Sequence, residues 1–352
     1  MTSEIRVSKK TAALFLTAGL FVFLLYLYFF VPFDQFLVTI QQANLFYYLL
    51  AIGCLFITMS FYSLTWKSLL HIVSVDVSFV KALQYIWVGN FVDILVPAES
   101  VSGDISRVYL VSRESSENAG RVVASVVGHR LLSGFVLFGG FLISSVYFIL
   151  VSGPSMLVKA VIAIILACSI IFQGLLLFLC MRRDVTEKLV NWLVNLLVRL
   201  FRGRWHFDRV RNSAEKMLKA FHDGIEALGQ QPRKLVLPVL FSVAAWFFDL
   251  FILILVFLSL GYFGSTVPLS LILIVYSIGS GLQVIPIGVP AETGFFEIAM
   301  TSVYAFFGVH VALGAVATLL TRFITLWFKL LIGGVCVQLV GIKVLKTKAQ
   351  LN

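Results

Sequence analysis

Val96-Pro97-Ala98-Glu99-Ser100-Val101-Ser102-Gly103-Asp104-Ile105-Ser106-Arg107 returns in altered form as Val289-Pro290-Ala291-Glu292-Thr293-Gly294-Phe295-Phe296-Glu297. Both stretches read Val-Pro-Ala-Glu-hydroxyl, and each places a second carboxylate, Asp104 or Glu297, seven residues after the proline. An apolar run carrying one arginine follows each copy. Ala124-Ser125-Val126-Val127-Gly128-His129-Arg130 corresponds to Ala317-Thr318-Leu319-Leu320-Thr321-Arg322, and the runs reach Gly139-Gly140 and Gly333-Gly334. The offset stays near 193 residues throughout, which marks a duplicated unit.

The surroundings of these copies fix the solvent. Hydrophobic residues make up 60% of the chain, aromatic residues 14% and charged residues 12%. Soluble chains carry about 25% charged residues. Several runs here reach the roughly 20 apolar residues that a helix needs to cross a bilayer core. Those runs are continuously apolar and lack the alternation of a membrane barrel, so an all-α polytopic membrane protein is expected. The net charge of +10 is confined to a few loops. Such clustering points to membrane orientation and anionic lipid, not to nucleic acid. Cys54, Cys168, Cys180 and Cys336 lie in or beside apolar runs without a C-x-x-C, and the histidines lack ligand spacing. Neither a disulfide framework, a metal site nor a cofactor is expected.

Taken in order, spans are expected at about 11–31 and 45–66, a broken hairpin at 83–111 and a span at 122–151. These form a first half, 1–155. The second half, 156–352, is expected to hold a span at 157–181, a basic amphipathic cytoplasmic segment at 182–234 and a span at 235–260. A second hairpin at 269–307 and a span at 311–342 complete it. Within 182–234, twelve Lys/Arg accompany six Asp/Glu, and apolar residues recur at helical spacing over 185–200 and 210–228. Basic helices of this kind commonly rest in the headgroup layer. The loop at 32–44 has no Lys or Arg, which places it outside and both termini in the cytoplasm, in a cell membrane.

Each hairpin segment is apolar, broken by proline, and flanked on the same side at both ends. Two readings fit: a re-entrant hairpin against protein or a water-filled cavity, or two short tilted spans. Three spans separate the copies, an odd number, so the halves should be inverted with respect to each other. Inverted halves with broken segments at corresponding positions are the pattern of secondary transporters, and the breaks mark the binding site.

Ionisable groups at such breaks need a reason to be there, because each costs several kcal/mol at mid-bilayer. Glu99, Asp104, Glu292 and Glu297 either cap the second half-helices or hold a cation, a proton or a headgroup amine. Arg130 and Arg322 suit phosphate oxygens through their planar forks, or else sit as interfacial anchors. Asp93 and Arg107 are supporting groups, with Arg107 expected to pair with Asp104 or Asp93. Asp249 is a third supporting group, with an arginine as its expected partner.

Gly103-Asp104-x-x-Arg107 after a proline, then Ala124-Ser125-Val126-Val127-x-x-Arg130-Leu131, resembles the first signature of the flippase-like transmembrane family. That family is named for the membrane region of lysylphosphatidylglycerol synthase. Ile285-Pro286-x-Gly288, Gly294-x-x-Glu297, Gly308-Val309, Ala317, Arg322, Trp327 and Gly333 resemble its second signature. Two departures stand out: Ser102-Gly103 replaces a glycine pair, and Val289-Pro290-Ala291-Glu292 interrupts a glycine-rich break.

The resemblance implies a lipid translocase fold whose substrates are polar-headed phospholipids or polyprenyl-linked lipids, with a separate lipid-modifying enzyme as a conceivable partner. It does not imply aminoacyl transfer, which in the synthases belongs to a soluble domain; only ten residues follow Ile342 here. The expectation is therefore a flippase-like transporter of a phosphate-bearing lipid, and not an enzyme. The alternative is a membrane enzyme or accessory subunit acting on a lipid-linked substrate. No D-x-D, P-loop or histidine cluster supports that alternative.

Overall fold

The computed structural model describes residues 33–96, 101–115, 119–188, 192, 207–264, 267–283 and 292–350. The expected span at 11–31 and Glu99 lie outside these residues. Among them the fold is all helical apart from one bridge between Phe263 and Val267. In chain order the helices are α1 (Phe33–Gln41), α2 (Leu45–Ile72), α3 (Phe79–Leu95), α4 (Val101–Ser115) and α5 (Ala119–Ser152). Then come α6 (Met156–Met181), α7 (Phe207–Gln230), α8 (Pro232–Ser259), α9 (Leu269–Leu282) and α10 (Phe295–Phe306). Last are α11 (Val311–Arg322), a π-helical stretch Phe323–Phe328, and α12 (Lys329–Gln350).

Among the described residues, five stretches are long and apolar enough to cross a membrane: Leu45–Ile72, Ala119–Ser152, Met156–Met181, Pro232–Ser259 and Val311–Gly341. They coincide with the expected spans at 45–66, 122–151, 157–181, 235–260 and 311–342. Their ends follow local chemistry. Asn44 caps α2 by accepting from the Phe46 amide at 3.0 Å, and Ser78 and Ser155 cap α3 and α6 in the same way. Pro232 starts α8, where its missing N–H has no partner to lose. Hydroxyls inside the spans turn inward on their own helix. Ser63, Thr65 and Ser144 each donate to the carbonyl four residues earlier, which leaves no unpaired donor to the lipid.

The centre of the molecule is the pair α2 and α8. Each has 28 residues, about 42 Å of helix at 1.5 Å per residue. The Asn44 amide, at the start of α2, donates to the Ser259 carbonyl, at the end of α8, at 2.6 Å. Phe61, midway along α2, stacks on Phe248 near the middle of α8 at 5.8 Å. The two helices therefore run antiparallel along their length. Trp66, Leu69, Ile252, Val256 and Phe257 are fully or almost fully buried there. By contrast α6 lies at the periphery and exposes Met156, Leu157, Ile164, Ile171 and Leu175, a face suited to lipid and not to water.

Both expected hairpins are present as helix pairs. α3 stops at Leu95, ahead of Pro97, which cannot donate an amide and disfavours helix in the preceding residue. Residues 89 and 93 of α3 face residues 103 and 107 of α4, so the chain has turned back on itself. In the second pair Gly279 of α9 faces Met300 and Phe296 of α10. The hairpin helices hold 17, 15, 14 and 12 residues. At 1.5 Å per residue each is shorter than a hydrocarbon core of about 30 Å.

The hairpins are exchanged between the two ends of the chain. α3 packs on α12, and α9 packs on α5, while α4 and α10 pack on α5 and α11. One glycine of each duplicated pair makes the crossing close. A side chain at Gly140 would strike Trp246 of α8, and one at Gly333 would meet Phe91 and the Trp87 carbonyl of α3 at 2.7 Å.

Of the amphipathic cytoplasmic segment, the face at 185–200 lies mostly outside the described residues, whereas that at 210–228 falls on α7. Over its last turns α7 rests on α5: Leu228 meets Gly128, and Gly224 sits against Ala124. Protein, not the headgroup layer, covers that part of its apolar face.

Candidate functional site

The first cluster forms where α3 and α4 meet. Asp93, near the end of α3, accepts from the Gly103 amide at 2.6 Å and from the Ser102 hydroxyl at 2.8 Å. It caps α4 from the preceding helix, and Gly103 is required because a side chain there would strike Asp93 and the Gly89 carbonyl. With the cap filled by Asp93, Asp104 is released to turn toward the arginines. One carboxylate oxygen takes Arg107 Nη2 and the other takes Arg130 Nε of α5. Arg107 is buried. Its guanidinium lies 5.2 Å over the Trp66 ring and donates to His129 Nδ1 at 3.4 Å. Trp66 in turn donates to Ser125 Oγ at 3.2 Å. Arg130 keeps 38% of its side chain exposed, against 10% for Arg107. Of the two cations, Arg130 is the one an incoming anion can reach.

The second cluster repeats the logic with a different cap. Glu297, in the first turn of α10, accepts from the Gly294 amide at 2.7 Å with one oxygen. The other oxygen takes Arg322 Nε of α11 at 2.9 Å. The single carboxylate caps its own helix and holds the arginine. Arg322 also lies 4.7 Å over the Phe296 ring, and both partners are nearly fully buried. Glu292 is buried as well and takes a left-handed backbone, φ 51°. That region costs a residue other than glycine about 1 kcal/mol or more, and surrounding contacts must hold it.

Both copies thus join a hairpin carboxylate to the arginine of the following helix, Asp104 to Arg130 and Glu297 to Arg322. Pairs of this kind lose strongly when one member is removed, by about 3–5 kcal/mol, because the other charge is left buried alone. The predicted residues Asp93, Arg107, Asp104 and Arg130 come together in the first cluster, and Glu297 and Arg322 in the second. Arg107 pairs with Asp104, one of its two expected partners.

Asp249 differs from expectation. Its partner is not an arginine but the Tyr276 hydroxyl, which donates to Asp249 Oδ2 at 3.0 Å. Asp249, Tyr276 and Lys329 line a cavity of roughly 70 Å³ between α8, α9, α10, α11 and α12. The basic group within electrostatic reach of Asp249 is Lys329. Lys329 had a signal in the sequence: it is the one lysine between His310 and Lys343, inside an otherwise apolar run. Tyr62 of α2 stands between the sites, in reach of Arg107 and Arg130 on one side and Tyr276 on the other. Its ring lies edge-on to His129 at 4.2 Å. No motif marked Tyr62.

Comparison with known proteins places the chain among membrane proteins of one family. The profile of the lysylphosphatidylglycerol synthase TM region matches residues 16–333. A UPF0104 membrane protein of Pyrococcus horikoshii is 24% identical over 304 residues, covering 84% of this chain and 88% of its own. Another from Methanothermobacter thermautotrophicus is 22% identical over 288 residues, covering 82% and 83%. A third, from Methanocaldococcus jannaschii, is 21% identical over 350 residues, covering 99% of each. No solved structure matches the chain significantly.

Proposed function

Because the chain belongs to the family of the lysylphosphatidylglycerol synthase TM region, we propose that it is a flippase-like transporter. It moves a polar-headed, phosphate-bearing lipid across the cell membrane, with both termini in the cytoplasm. Its two halves are inverted relative to each other, and it transports lipid without chemically changing it. Its partners are the lipids themselves and, where one exists, the enzyme that makes the lipid.

The observation that carries this reading is the matched pair Asp104–Arg130 and Glu297–Arg322, one at each hairpin. The antiparallel run of α2 and α8 and the exchanged hairpin contacts support inversion. An anionic headgroup crossing hydrocarbon faces a barrier of several kcal/mol per charge. A guanidinium lowers that barrier when the phosphate replaces its carboxylate. Arg130 is the more open of the two and makes the first exchange. Arg322, buried with Glu297, requires the second hairpin to shift before it does the same. The tails remain in lipid throughout.

The test is reconstitution of the purified chain into liposomes with tail-labelled phospholipid, followed by quenching from outside. Labelled lipid in the inner leaflet becomes quenchable if the reading holds. A quenchable fraction equal to that of protein-free liposomes overturns it. Conversion of the lipid to a new product assigns an enzyme instead.

A further inference from the structure

The cavity beside Arg322 holds two opposite charges that do not meet. Lys329 reaches it from α12, and its ammonium makes no hydrogen bond or ion pair with any described residue. Asp249 reaches it from α8, and only its Oδ2 is occupied, by Tyr276. Thr318, Thr321 and Thr325 add three hydroxyls to the wall. Each gives its hydrogen to its own helix, to the carbonyls of Gly314, Ala317 and Thr321 at 2.7, 2.8 and 3.0 Å. Their oxygens therefore offer the cavity lone pairs only. One wall holds an ammonium and another a carboxylate with one open oxygen, flanked by the three threonine oxygens and by the polar side chains of Ser280, Gln283 and Tyr304.

A ligand for this space must satisfy both sides. A plain anion would suit Lys329 but face the Asp249 carboxylate, and a plain cation would meet the reverse conflict. Leaving either group buried and unmatched costs about 1–3 kcal/mol, more for a charge. A dipolar group resolves the conflict. We infer that this cavity is the subsite for a phosphodiester headgroup that carries its own hydrogen-bond donor, an ammonium or a hydroxyl. Phosphate oxygens take the Lys329 ammonium, and the donor, a short alkyl chain away, takes Asp249 Oδ1 and the threonine oxygens. The volume, roughly 70 Å³, is room for about five waters, enough for the polar end of a headgroup and not for tails. Phe296 lines the cavity, and Arg322 stacks on the same ring, so the subsite adjoins the second arginine. This inference rests on the transport reading and names the substrate class it serves.

Binding and movement are measured separately, so that the two readings fail separately. The full chain in detergent is titrated calorimetrically with dihexanoyl phosphatidylethanolamine, phosphatidylglycerol and phosphatidylmethanol. The first two carry the donor and the third does not. The first two should bind the parent protein at least tenfold tighter, since an acceptor site discriminates against a ligand without the hydrogen. Asp249→Asn should shrink the ethanolamine-to-methanol ratio below about threefold, and Lys329→Gln should weaken all three by about tenfold. Equal affinity of the parent protein for the three lipids overturns the inference and needs no variant to fold. So do variants that elute as the parent and bind as the parent. Discrimination in the titration with no movement in liposomes sinks transport and keeps the subsite; movement without discrimination does the opposite.

Discussion

Arg322 and Glu297 lock two helices together with almost no water around them, and the consequence is measurable residue by residue. Arg322→Gln should lower unfolding stability by about 3–5 kcal/mol, and Glu297→Gln by a similar amount. The double variant should cost clearly less than the sum, because neither partner is then left charged and alone. Urea unfolding of the four proteins in one detergent gives the coupling; additive losses would mean that the two side chains do not interact. Arg130 answers a different question, being more exposed. Arg130→Lys keeps the charge and loses the planar fork, so transport should fall only in part, whereas Arg130→Gln should abolish nearly all of it. Initial rates in the liposome assay, at equal folded protein, read the order directly. Parental rates in both variants would make Arg130 a boundary anchor.

At the scale of the helix, the π-helical stretch Phe323–Phe328 separates Arg322 from Lys329. A π turn behaves as one residue inserted into an α-helix, and it is often found where function needs a side chain re-aimed. Arg322 before it serves Glu297, and Lys329 after it serves the cavity. Deleting Phe323, which is half exposed, should let the stretch relax to α-helix and keep α12 in register. Deleting Leu331, which is more exposed still, should rotate Gly333 away from Phe91 by about 100°. Thermal unfolding should therefore fall by only a few degrees for the first and collapse for the second; the opposite ranking would show that the π turn is itself required for packing.

Helices were the more legible part of the sequence. Five spans and both hairpins could be read because apolar runs and prolines act locally. The partners were less so. Asp104 could be marked as a carboxylate at a break, but not that Asp93 takes the cap and so frees it for Arg130. That division depends on Gly89 and Gly103 letting two helices touch. Asp249 was visible as a lone acid in an apolar run. Its hydrogen-bond partner Tyr276 and its cavity neighbour Lys329 come from 27 and 80 residues away and reach the same space only after three helices have packed.

For the molecule as a whole, the proposed inversion of the two halves makes the firmest demand. In a background without Cys54, Cys168, Cys180 and Cys336, single cysteines are placed at Ser116, after α4, and at Ser265, after α8. An impermeant maleimide should label them from opposite sides of sealed vesicles. Labelling from the same side would remove the two-half arrangement and with it the main support for transport.

The antiparallel pair at the centre has one more effect, on the field that a crossing charge feels. An α-helix carries a dipole equal to about half a charge of opposite sign at each end. α2 and α8 have equal length and opposed direction, so their dipoles cancel. The central pair then pushes an anionic headgroup toward neither face of the membrane. What directionality the path has must come from side chains present in one half only, and Asp249 and Lys329, which have no ionisable counterparts about 193 residues earlier, are where it would arise.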